Sequence, residues 1–324
     1  MKNHYKKIIV AMTLSIILSN NTIITESHAR TTSDNDRNNS HQLEKSLYIE
    51  GADLNPEQEE QTKTDLGVKD DYQKYEITTD DVSQYTGGTY NYIYSSATIV
   101  PKKFRKGVDV QITTPKNITR ITEAQYTNAA ITSGIENASI KVASVQPVTG
   151  EGALTGIYKA LEKEGVSIYR DDIQKANEEM ETLASINESQ KKQGNEINEP
   201  LNNAVADMKE QVAEKKVDGE SVSQQDIHDI VNETLKEKGL NSVLDDSQKQ
   251  QLVTVITNIS QTNIMETNPE SIKEQASQLK DGLSDNIKEF NDENDGILER
   301  LWNNIKEFFS ALSDKVMQFF NSLF

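Results

Sequence analysis

The sequence predicts an α+β fold in three parts: a small α/β head domain, an acidic all-α helical bundle, and a C-terminal amphipathic helix. Three observations carry this. Up to residue 170 the apolar period switches repeatedly between strand and helix, and beyond it the period stays helical. The aromatic residues are segregated: all eleven tyrosines lie at or before Tyr169, while six of seven phenylalanines and the only tryptophan lie at or after Phe290. The charge divides in the same place, with 20 acids against 16 bases over residues 30–170 and 31 against 15 over 171–324.

Residues 1–29 read as an export signal. Met1 to Lys7 is basic, Ile8 to Leu18 is apolar except for Thr13 and Ser15, and Ser27-His28-Ala29 puts small residues at signal-peptidase spacing, so cleavage is expected after Ala29. A retained anchor is the alternative, against which stands an apolar run well short of the ~20 residues a span needs. No transmembrane segment is expected after cleavage. Residues 30–45, rich in Asn, Ser, Thr and Asp, read as a disordered leader.

The head is placed at residues 46–170. Asn55-Pro56-Glu57 is a cap followed by Pro at the first helical position, and Gly67 closes that helix. Thr79-Asp80-Asp81 starts a second, ending before Gly87-Gly88. Tyr90 to Val100 is β-branched and aromatic, and Val108 to Thr113 alternates strictly, so both read as strands. Thr122 to Ile131 reads as a helix closed near Gly134, Ser139 to Val145 as a strand, and Gly152 to Glu164 as a helix closed by Gly165.

The bundle is placed at residues 171–290. Its apolar stripes are Ile173, Ala176, Met180, Leu183; Leu201, Val205, Met208, Val212; and Ile272, Ala276, Leu279, Leu283, each narrow enough for a helix-pairing seam. Breaks are expected at Gly194 to Pro200, Gly219, Gly239 and Asn268-Pro269, with a further start at Ser223. Residues 291–324 hold the tail helix. Its apolar residues, among them Trp302, Phe308, Phe309, Phe319 and Phe320, fall within an arc of roughly 120°. That face must be covered by the body of the protein, by a partner or by a membrane surface, and the balanced charges of the helix weigh against the last.

Counting restricts the chemistry. There is no cysteine, so disulfides and thiol catalysis are impossible, and after signal removal only His41 and His228 remain. Zinc lacks ligands, and no cofactor motif is present, so no metal or cofactor is expected. Asn291 to Gly296 mimics the start of a calcium loop, but Asn291 replaces the first Asp and Trp302 stands where the bidentate Glu belongs. The mature chain is strongly negative, which disfavours nucleic acid. Gly150, Glu151, Gly152, Thr155 and Gly156 follow a strand and open a helix, a context in which backbone N–H groups can cradle an anion. The Gly-x-Gly-x-x-x-Gly spacing fits neither the dinucleotide fingerprint nor the P-loop, and Glu151 occupies the anion's place, so a turn with close helix packing is the competing reading. Tyr92 joins the candidate ligand-binding residues from the Tyr-rich strand. Carboxylate pairs for glycoside hydrolysis reduce to Glu123, Glu136, Glu151 and Asp109, with nothing singling out two.

Three segments carry a family resemblance: Gly107-Val108-Asp109-Val110-Gln111-Ile112-Thr113-Thr114-Pro115-Lys116-Asn117-Ile118-Thr119, then Gln125-Tyr126-Thr127-Asn128-Ala129-Ala130-Ile131, then Pro147-Val148-Thr149-Gly150-Glu151-Gly152-Ala153-Leu154-Thr155-Gly156-Ile157-Tyr158-Lys159-Ala160-Leu161. They resemble a family of exported Gram-positive proteins classified as a domain of unknown function, from about Leu54 well into the acidic tract. The resemblance implies export and an envelope location, and brings no catalytic residues. The expectation is therefore a secreted, non-enzymatic, envelope-associated protein that binds or scaffolds, its partner unidentified: an envelope component, or a protein at the tail helix, with peripheral membrane contact left open. The alternatives are a carboxylate-dependent cell-wall hydrolase and a head that binds glycan or anionic polymer.

Overall fold

The computed structural model describes residues 43–103 and 107–293, with side chains through Ser284. Two strand–helix–strand crossovers form its sheet. In the first, β1 (Leu47–Gly51), α1 (Pro56–Leu66) and β2 (Gln73–Ile77) place β2 parallel to β1. In the second, β4 (Val108–Ile112), α3 (Glu123–Thr132) and β5 (Ala138–Ser144) place β5 parallel to β4. Parallel neighbours need such a crossover, because a tight turn cannot join them. Between the two units come α2 (Thr79–Thr86) and β3 (Ser95–Pro101), which runs antiparallel to both β1 and β5. The order is β2-β1-β3-β5-β4.

Strand alternation then decides what covers each face. Leu47, Ile49, Ala97, Ile99, Ile140 and Val142 share one core with Ala153, Ile157 and Leu161 of α4 (Glu151–Lys163). Tyr48 and Ala143, on the opposite face, meet Leu66 of α1. The helix starts are fixed by reciprocal caps: Asn55 with Gln58, Thr78 with Asp81, and Thr122 with Gln125. Gly67 ends α1 at φ 66°, as its place after the last apolar residue predicts.

Two strands at one end of the sheet escape the sequence reading. β1 is only five residues long and follows the polar leader, and β2 (Gln-Lys-Tyr-Glu-Ile) is an edge strand with charged, largely exposed positions. The strand expected from Tyr90 begins instead at Ser95. The segment before it is held by Asp53, whose carboxylate accepts the Ile93 N–H at 2.7 Å while the Ile93 carbonyl accepts the Asp53 N–H at 3.3 Å. Those groups are therefore unavailable to a ladder.

Beyond the head come α5 (Arg170–Lys192), α6 (Asn198–Val217), α7 (Gln224–Glu237), a 3₁₀ turn at Leu240–Ser242, α8 (Asp246–Ser260), α9 (Asn263–Thr267) and α10 (Pro269–Glu293). Every predicted break separates two elements, and Pro200 sits in the first turn of α6, where its missing N–H costs nothing. α6 is central, packing along α10 and against α7 and α8. The two large cores interlock: Ile173, Ala176, Met180 and Ala184 of α5 enter the head core, while Leu183 and Ile186 of α5 and Ile131 of α3 enter the bundle core. The signal, the leader through residue 42, and the tail helix with Trp302, Phe308, Phe309, Phe319 and Phe320 lie outside the described residues. So does the calcium-like segment past Glu293, its first residues forming the end of α10.

Candidate functional site

The glycine turn lies at the start of α4. Gly150 holds φ 119°, a conformation that disfavours any other residue, and a Cβ there would meet the Tyr126 hydroxyl at 2.6 Å. Tyr126 donates to the Gly150 carbonyl at 2.6 Å, and burial pushes its ionisation well above the usual tyrosine range. Gly152 faces Ser95 and Ile93, and Gly156 faces Ile49 and Ile77. Thr155 is fully buried and donates back to the Glu151 carbonyl at 3.2 Å. Gly152 and Gly156 are thus seated against the sheet.

Glu151, at the positive end of the helix dipole, faces Arg120 at 2.9 Å. Arg120 is the centre of a cluster that the sequence did not single out. Its Nη1 donates to Glu151 and to Glu181 at 2.5 Å, its Nη2 to Glu181 at 2.6 Å and Ser185 at 3.1 Å, and its Nε to Glu188 at 3.1 Å. Glu181, Ser185 and Glu188 recur every three or four residues along one face of α5. The five donors of the guanidinium are all used, two of them in a bidentate fork on Glu181. That hydrogen bonding raises the Arg120 pKa further and lowers that of Glu181. The cluster stitches the head loop before α3 to the start of α4 and to α5.

Tyr92 stands apart from the glycine turn's packing. It is 64% exposed and stacks on Tyr94, ring centroids 5.8 Å apart and planes 22° from parallel. The remaining candidate carboxylates are occupied elsewhere: Glu123 accepts the Ile112 N–H at 2.7 Å, Asp109 pairs with Lys102 at 2.5 Å, and Glu136 accepts from Asn268 at 2.9 Å. His228 is partly buried on α7.

A second unforeseen constellation lies where α3, α5 and α6 meet. Lys209 and Glu179 are both fully buried, with Nζ 2.7 Å from Glu179 Oε1 in a close ion pair that lacks the angle of a directed hydrogen bond. Lys209 Nζ also donates to the Asn128 carbonyl at 2.8 Å and to Asn128 Oδ1 at 3.1 Å. Glu179 Oε2 accepts from Thr132 Oγ1 at 2.6 Å. Asn128 Nδ2 donates in turn to the Asn202 carbonyl at 3.2 Å and to Asn202 Oδ1 at 3.1 Å. Burial holds the Lys209 ammonium below the usual lysine range, with Glu179 opposing the shift. A second stripe on α6 signals this in retrospect: Asn202, Ala206, Lys209 and Ala213 follow a 4,3,4 spacing one residue on from the apolar seam.

Surface concavities are open. One, of about 410 Å³, lies along α1 and Val145; another, of about 150 Å³, lies between Gly107, Asn137 and the start of α10. Among the described residues no group of His, Asp and Glu is arranged to hold a metal ion. No described helix is long and apolar enough to cross a membrane.

No solved structure matches this chain. It is similar to the uncharacterized protein YpuA of Bacillus subtilis (strain 168), 29% identical over 280 residues that cover 83% of this chain and 88% of that one. A family model described as protein of unknown function, DUF1002, matches residues 50–279, from β1 into α10. The chain belongs to the DUF1002 family.

Proposed function

We propose that this protein is exported and acts at the cell envelope by binding or scaffolding rather than by catalysis. One observation carries the reading most directly: each of the four head carboxylates that the sequence offers for a hydrolytic reaction is engaged by another part of the chain. Glu151 is held by Arg120, Glu123 by the Ile112 N–H, Asp109 by Lys102 and Glu136 by Asn268. A general acid or nucleophile must instead face the scissile bond with a second carboxyl at a set distance. Export is supported by the basic–apolar–small pattern of residues 1–29, and docking by the helical spacing of the apolar residues in the sequence of 297–324.

Purified protein incubated with peptidoglycan should release no soluble fragments. Protein recovered from culture fluid should begin at Arg30. Removing residues 291–324 should lower cell association. Fragment release that Glu151→Gln or Glu123→Gln abolishes without unfolding would establish the hydrolase instead, and equal stability and equal cell association of the truncated protein would remove the docking role.

A glycan-binding head is favoured by one observation, the exposed Tyr92–Tyr94 stack, whose flat apolar face suits the face of a sugar ring. Thermal shifts with wall glycans that Tyr92→Ala abolishes would support it, and a flat response would end it.

A further inference from the structure

We propose that Lys209 and Asn128 are the two ends of an intramolecular isopeptide bond, formed without any other enzyme and with Glu179 as the proton carrier. The groups such a reaction needs are brought together from three helices. The amine of Lys209 lies 3.1 Å from the side-chain oxygen of Asn128, and the carboxylate of Glu179 lies 2.7 Å from the same amine. All three residues are fully buried. Thr132 fixes the far oxygen of Glu179 at 2.6 Å, which leaves the near oxygen facing the amine. The side-chain nitrogen of Asn128, the leaving group, is held by two acceptors on Asn202.

In so buried a place, an ammonium and a carboxylate in contact can relieve their desolvation by moving one proton, which leaves a neutral amine and a neutral acid. The neutral amine is the nucleophilic form. Its lone pair attacks Asn128 Cγ while the carbonyl electrons move to Oδ1, and the Nζ–Cγ bond forms. The carbonyl then re-forms and the Cγ–Nδ2 bond breaks. Glu179 relays the second proton from Nζ to Nδ2, which departs as ammonia, and Glu179 keeps one proton and stays neutral. Lysine ammonium, asparagine amide and glutamate thus become one secondary amide, one glutamic acid and one ammonia, with no oxidant or co-reactant. Fixed proximity supplies effective concentrations of ~10⁵ M or more in well-oriented cases, and the reaction need occur only once in the life of each molecule. A buried ion pair is by itself a weak source of stability. A covalent tie from α3 in the head to α6 in the bundle is a strong one, in a chain that has no cysteine with which to make another.

The test is the mass of the purified, folded full chain. It should fall below the sequence mass by one ammonia, and a tryptic digest of the denatured protein should contain a branched peptide joining the Asn128 and Lys209 segments. Glu179→Gln should carry the unreduced mass and give two separate peptides. Asn128→Asp, whose leaving group is water, should give a linked product of the same mass as the wild-type one. Recovery of Asn128 and Lys209 on separate, unmodified peptides from folded wild-type protein overturns the proposal, and this readout decides the matter even where the Glu179 variant fails to fold.

Discussion

Gly156→Ala isolates the packing of α4 on the sheet. An added Cβ would lie 2.5 Å from Ile49 Cγ2 and 3.3 Å from Cβ and Cγ2 of Ile77. Carbon atoms prefer ~3.5–4.0 Å, so the helix or β1 must give by about 1 Å. Overpacking of this kind costs about 1–3 kcal/mol. Against it stands the gain of about 1 kcal/mol from replacing Gly by Ala inside a helix. Gly282→Ala measures that gain by itself, because Gly282 is an exposed position within α10 whose added Cβ meets nothing within 4 Å. The difference between the two variants is then the packing cost alone, about 1–3 kcal/mol. Equilibrium urea unfolding followed by circular dichroism gives it as the difference in midpoint multiplied by a common slope. Gly282→Ala should unfold at higher urea than wild type, and Gly156→Ala below Gly282→Ala. Equal midpoints for the two variants would refute the close seating of α4 on β1 and β2.

Arg120→Met should lower stability by about 2–3 kcal/mol, since it strands the buried Glu151 carboxylate, and adding Glu151→Gln should recover part of the loss, both read by urea midpoint. Glu59 is held at a pKa of about 2 by hydrogen bonds from Lys63 and then Lys74. Its folded value lies below the ordinary ~4.3, so its stabilising contribution is complete above that pH and is lost as pH falls towards 2. Carboxyl NMR titration should place Glu59 about 2 units low, and Lys63→Met or Lys74→Met should move it up; an unchanged midpoint in both would contradict the assignment. Asn55→Ala removes the side-chain half of the α1 cap, leaving the backbone N–H of residue 55 on Gln58, and should cost about 1 kcal/mol in the same urea assay, where Gln58→Ala, which removes the other half, should cost less.

The elements that were legible in the sequence are those whose start or stop has a local chemical cause. Asn55 is followed at once by Pro56 at the first helical position, and Thr122 and Ser223 each have a partner three residues on, Gln125 and Asp226, so all three announce helices. β1 and β2 were not legible: a buried five-residue run and a charged edge strand have no periodicity to detect, and their pairing is set by partners far along the chain. The glycine spacing marked a real turn, and its reason lies in Ile49, Ile77 and Tyr126, which only the fold brings near. Arg120, Glu179 and Lys209 are single charges in a highly charged chain. The burial of Glu179 and Lys209 follows from α5 and α6 each being covered on two sides, which one apolar seam per helix understates. On α5 a second row, Asp172, Ala176, Glu179, Leu183, Ile186 and Gln190, is buried throughout.

The sharing of α5 between two cores governs how the chain can be divided for expression. A fragment ending at Arg170, where composition and charge change, would strip Ile173, Ala176 and Met180 from the head and leave an apolar trench along α3. One ending at Gly194 would keep that cover but carry Glu179 without Lys209, a buried anion with no counter-ion. Each half is therefore predicted to be an aggregation-prone product, and during synthesis the head must wait for α6 to emerge before its last helix can settle.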